Sequence, residues 1–71
     1  MKTTIKYLRE MIDTNLISVQ ETVGMKVKVG FLELTVKGYE LTPGDYLPNI
    51  WHLERNGTLY EFTPYNGLQK V

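Results

Sequence analysis

The chain has no cysteine, no alanine, a single serine and a single histidine, and its eight basic side chains are balanced by eight acidic ones. Without cysteine there is no disulfide framework, no thiolate metal centre and no thiol nucleophile. Covalent catalysis needs a nucleophile, a base and an orienting group. The lone serine, Ser18, is remote in sequence from the lone histidine, His52, and is not set in a nucleophile elbow. The six glycines are scattered and form no phosphate-cradling run. We therefore expect no enzymatic activity, no catalytic residues and no cofactor. A formal net charge of zero argues against a polybasic nucleic-acid or membrane binder and equally against an acidic disordered tail. No apolar run approaches the ~20 residues of a membrane span. The start, Met1-Lys2-Thr3-Thr4, meets charges at Lys6, Arg9 and Glu10 before any signal-peptide core could form. A cytoplasmic location with no membrane association is the expectation.

What the chain does have is apolar bulk. Apolar residues are 42% of its 71 positions, and because none is alanine each is valine-sized or larger. A single domain over 1–71 should have a radius of gyration of about 11 Å and bury only roughly 60% of its unfolded surface. So many large side chains are hard to hide in one copy, and a chain near zero net charge lacks the self-repulsion that keeps small domains apart. Self-association as a homodimer, or a standing protein partner, is the leading expectation.

From Thr3 to about Asn15, Ile5, Leu8, Met11, Ile12 and Leu16 follow the spacing of one helical face, widened by Tyr7. Thr3 or Thr4 can cap the start. Lys6 with Glu10 and Arg9 with Asp13 stand four apart and read as a solvated, ion-paired face. In 16–24, Ile17, Val19 and Val23 alternate like a strand, while Ser18-Val19-Gln20-Glu21 spells a capping box; a short strand at 16–20 is preferred because Val and Thr suit pleated surfaces. Met25, Val27 and Val29 then alternate with Lys26 and Lys28. After Gly30 the apolar phase moves to Leu32, Leu34 and Val36, which signals a bulge or tight bend at the glycine.

Residues 38–49 contain Gly38, Thr42-Pro43-Gly44-Asp45 and Pro48, a loop with a turn at Pro43-Gly44. Tyr39, Leu41, Tyr46 and Leu47 are too apolar for a free linker, and they are the candidate protein-interaction residues, as a lid over the sheet edge or a contact surface. Two alternating runs then flank Asn56-Gly57, the strongest short hairpin signal. A two-residue type I′ turn pairs Arg55 with Thr58, Leu53 with Tyr60, His52 with Glu61 and Trp51 with Phe62. Trp51, Leu53, Tyr60 and Phe62 share the face that must be buried. After Pro64, Asn66-Gly67 suggests one more turn returning the tail to the body.

The opposite hairpin face carries His52, Glu54 and Glu61, the one cluster with chemical potential. One histidine with two carboxylates is a thin ligand set for zinc, and an exposed cross-strand ion pair is the plainer reading, so no metal is expected. Nucleic-acid binding is the alternative function. Lys26, Lys28 and Lys37 with neighbouring tyrosines could make a stacking platform. The charge bias is mild, +2 over residues 1–38 against −2 over 39–71, and lysines at a strand edge commonly serve to block edge pairing. Weak nucleic-acid affinity is the most this supports.

The resulting fold class is α+β, one N-terminal helix packed on a small curved antiparallel sheet of about four strands, with a small SH3- or OB-like β-barrel as the alternative. The expected function is a small non-enzymatic interaction or regulatory module of the size of a phage-type accessory protein.

Overall fold

A computed structural model describes residues 3–71. Helix α1 (Ile5–Asp13) comes first. A 3₁₀ turn (Val19–Thr22) and five strands follow: β1 (Lys26–Val29), β2 (Leu32–Glu40), β3 (Ile50–Arg55), β4 (Thr58–Thr63) and β5 (Gly67–Lys70). The strands form one antiparallel sheet in the order β1-β2-β3-β4-β5. The sheet curls into an open half-barrel with the helix over its concave face. The radius of gyration is 11.3 Å. The α+β reading holds, with a fifth strand added.

Thr4 caps α1, its hydroxyl accepting the Tyr7 N–H at 3.1 Å. Ile5, Leu8 and Ile12 form the buried stripe. Leu16, expected on that stripe, lies past the helix end and is exposed, and Tyr7 is exposed too. The reason is the way the helix stops. Asn15 adopts a left-handed φ of 62°, a conformation asparagine tolerates better than most residues. The N–H groups of Leu16 and Ile17 then turn back to the Met11 carbonyl. With those donors committed, the expected strand at 16–20 does not form. The capping-box signal prevails instead: the Glu21 carboxylate accepts the Ser18 N–H at 2.6 Å and opens the 3₁₀ turn. Gly24, at φ 95°, redirects the chain into β1 and donates its N–H to the Val36 carbonyl.

The phase change at Gly30 is a two-residue hairpin turn. Val29 pairs with Leu32, and Gly30 takes a φ of 61°, the positive first position of a II′ turn. Phe31, the other turn residue, is fully exposed. Between β3 and β4 the register matches the sequence reading at every pair, from Arg55 with Thr58 to Trp51 with Phe62. Asn56 and Gly57 both have positive φ, as type I′ requires.

β2 runs further than its glycine suggests. A bulge between Val36 and Gly38 absorbs the irregularity, and pairing resumes through Tyr39–Trp51 and Glu40–Ile50. The bulge adds local twist, which suits a curled sheet. The connection to β3 is therefore 41–49 rather than 38–49. Its Pro43-Gly44 turn is closed by the Asp45 N–H donating to the Thr42 carbonyl, with Gly44 at φ 92°. Asn49 fastens it from inside, donating to Thr42 Oγ1 and Asp45 Oδ2. Val27, Leu34, Val36, Trp51 and Leu53 complete the core against α1. At the outer side of β1, Thr3 makes a parallel bridge to Val27 and accepts the Lys28 N–H at 2.7 Å.

Candidate functional site

One helix cannot cover five strands. Its start is tied to β1 through the Thr3 bridge, so Val27, Leu34, Val36 and Leu53 are fully buried while Tyr60, Phe62 and Leu68 on β4 and β5 remain half-buried. The uncovered strip is a groove of about 320 Å³ between α1 and the β3–β4 part of the sheet. Ile5, Arg9 and Asp13 form the helix wall, Trp51 and Phe62 the sheet wall, and Leu47 closes one side. A depression of about 150 Å³ beside it shares Arg9 and Leu47.

Two donors of groove-lining residues have no acceptor among the described residues. Trp51 is 1% exposed, and its indole Nε1 is buried without a hydrogen-bond partner; Arg9 Nε is in the same condition. A buried donor left unpaired costs about 1–3 kcal/mol, so such groups usually have a partner. Arg9 does not form the expected pair with Asp13. The Asp13 carboxylate accepts instead from Tyr46 Oη at 2.5 Å. That hydrogen bond, and then the carboxylate's charge, raise the Tyr46 pKa above its ordinary 10.0. The helix face that sequence reads as solvated is thus one wall of a groove. Arg9 gives the only prior signal, standing one turn past Ile5 on the border of the apolar stripe.

The four interaction candidates separate. Tyr39 belongs to β2 and is half-buried, its ring edge-on to Trp51 at 6.5 Å between centroids. It packs against the core. Leu47 lines the groove, Tyr46 lies over the end of the helix, and Leu41 is exposed on the loop. Of these four, Leu47 is the one that lines the groove, together with Trp51, Phe62 and Arg9.

On the convex face, Lys26 stands opposite Thr35 and Lys28 opposite Glu33. Lys37 meets Glu54 at 3.7 Å. The strand tyrosines, Tyr39 and Tyr60, are on the other face, paired with Trp51 and Leu53. Lys26 and Lys28 are therefore not on the face that carries Tyr39 and Tyr60. His52 and Glu61 are cross-strand partners as expected. The closest contact of His52, however, is Glu40 on β2, with Nε2 2.7 Å from Oε2, and Glu54 turns to Lys37 instead of joining that cluster.

No protein-family model, no curated protein and no solved structure matches this chain, so its own geometry is what bears on function.

Proposed function

We propose that the chain is a small non-enzymatic interaction module that self-associates, the groove of one copy receiving an apolar side chain of a second. The observation that carries this reading is the groove itself: apolar walls at Trp51 and Phe62, and two buried donors of lining residues, Trp51 Nε1 and Arg9 Nε, that lack acceptors among the described residues. Its volume is at the lower end of binding cavities, room for a side chain rather than a large cofactor. The occupant must bring apolar surface, and Phe31 supplies it. It is fully exposed at the tip of the β1–β2 hairpin, and aromatic anchors in pockets are the usual centres of interfaces. Zero net charge removes the electrostatic barrier to two copies meeting.

Sedimentation equilibrium across micromolar concentrations, with the emission of the only tryptophan followed in parallel, tests the proposal. A dimer that Phe31→Ser converts to monomer, with a concentration-dependent Trp51 signal that disappears in the same variant, is the expected result. A wild-type chain that stays monomeric with unchanged Trp51 emission would exclude self-association. A dimer indifferent to Phe31→Ser would move the contact elsewhere.

A further inference from the structure

The convex face of the sheet, opposite the groove, holds the chain's one histidine between carboxylates from both neighbouring strands. His52 on β3 pairs directly with Glu61 on β4. Glu40 comes from β2, two residues past Gly38, which is the β2 partner of His52. Periodicity within the hairpin cannot supply Glu40, because only the β2–β3 register places it there. One ligand atom from each of Glu40, His52 and Glu61 lies within 4.8 Å of the others. The closest pair, His52 Nε2 and Glu40 Oε2, is 2.7 Å apart.

We propose that Glu40, His52 and Glu61 bind one divalent first-row transition ion, with zinc as the representative case. Nitrogen and carboxylate ligands take Zn²⁺ at about 2.0–2.2 Å. Tetrahedral ligands at that radius stand roughly 3.4 Å from one another, which falls between the 2.7 Å of the closest pair and the 4.8 Å within which all three ligand atoms lie. Three protein ligands leave a fourth position for water, the coordination of an open zinc site. The mixed nitrogen and oxygen set favours transition ions over Mg²⁺, which prefers all-oxygen octahedral surroundings.

Two further features support the site. Neither Glu40 nor Glu61 has a Lys or Arg ion pair among the described residues, since the nearby cation Lys37 is engaged with Glu54. Two carboxylates thus converge on a single imidazole, an arrangement that a divalent charge relieves. Access is also open. The side chains of His52 and Glu40 are 40% and 59% exposed, and a Cβ built on Gly38 would meet nothing within 4 Å.

Zinc chloride titrated into the full chain, read by calorimetry and by ¹H–¹⁵N NMR, tests the proposal, with magnesium chloride as the comparison ion. The expected result is one zinc per chain, resonance changes centred on Glu40, His52 and Glu61, and little response to magnesium. His52→Gln, Glu40→Gln and Glu61→Gln should each weaken zinc by about tenfold or more, while Glu54→Gln, outside the cluster, leaves it unchanged. All four are convex-face substitutions, and the same spectra report whether each variant is folded. Absence of binding at about 1 mM zinc, a level that would detect even millimolar affinity, would overturn the site. So would affinity unaffected by Glu40→Gln and Glu61→Gln in folded protein, or equal loss on Glu54→Gln.

Discussion

Tyr46 donates its hydroxyl to the Asp13 carboxylate across a sequence distance of 33 residues, fastening the 41–49 loop to the last turn of the helix. A carboxylate at a helix C-terminus is poorly placed with respect to the helix dipole, and α1 has no basic residue in its last turn. The phenol answers that carboxylate with an O–H donor. The same bond favours the protonated phenol, so Tyr46 titrates above 10.0. Because the folded-state value is raised, the tether contributes fully below the unfolded tyrosine pKa and is lost as pH rises through the folded one. Phenolate absorbance should show Tyr46 ionising late, and Asp13→Asn should bring that ionisation to lower pH. A titration curve left unchanged by Asp13→Asn would contradict the contact.

Gly57 and Gly38 should respond oppositely to alanine. Gly57 has a φ of 82° in the second position of the Asn56-Gly57 turn, where a side chain costs roughly 1–2 kcal/mol. Gly38 has no left-handed φ, and an added Cβ finds open space. Gly57→Ala should lower the urea midpoint, whereas Gly38→Ala leaves it unchanged or raises it slightly by restricting the unfolded chain.

Trp51 combines the largest buried side chain with an unpaired donor. Trp51→Ala removes both and should cost about 3–5 kcal/mol. Trp51→Phe keeps most of the packing against Tyr39 and deletes the N–H whose burial is unfavourable. Its cost should stay below about 2 kcal/mol, measured by urea denaturation with far-ultraviolet circular dichroism. Equal losses for the two variants would mean that the indole N–H finds an acceptor in solution.

Glu21 tests which of two competing local signals organises 16–24. Its carboxylate holds the Ser18 N–H at the start of the 3₁₀ turn, so Glu21→Ala should cost about 0.5–1 kcal/mol, read from the thermal midpoint. An unchanged midpoint would shift the credit to the Asn15 and Gly24 backbone conformations.

The hairpin around Asn56-Gly57 is readable from sequence to the last cross-strand pair because turn type and alternation fix the register together. The helix is readable for a related reason: a 3.6-residue stripe and a threonine cap agree. Elsewhere the decisive partners are distant. Val19 and Val23 look like strand residues, but the Met11 carbonyl takes the backbone donors of Leu16 and Ile17. β5 is four residues long and contains one large apolar side chain, Leu68, short of the last residue, too few for alternation to register. Tyr39 reads as loop because Gly38 precedes it, yet a bulge lets the strand continue. The groove and the Glu40–His52–Glu61 cluster need the helix angle and the β2–β3 register, neither of which is a local property.

Strand order has a kinetic consequence. Every strand neighbours its chain neighbour in the sheet, so no segment must wait for a remote one to arrive. Two-residue turns join β1 to β2 and β3 to β4, and residues 64–66 join β4 to β5. Only 41–49 spans an appreciable gap, and closure entropy grows slowly with length. Folding is therefore expected to begin as two nearly independent hairpins whose meeting through 41–49 sets the overall rate, at the fast end for a chain rich in strands. The segment that holds the loop to the helix in the folded state is then the one that governs how quickly that state is reached.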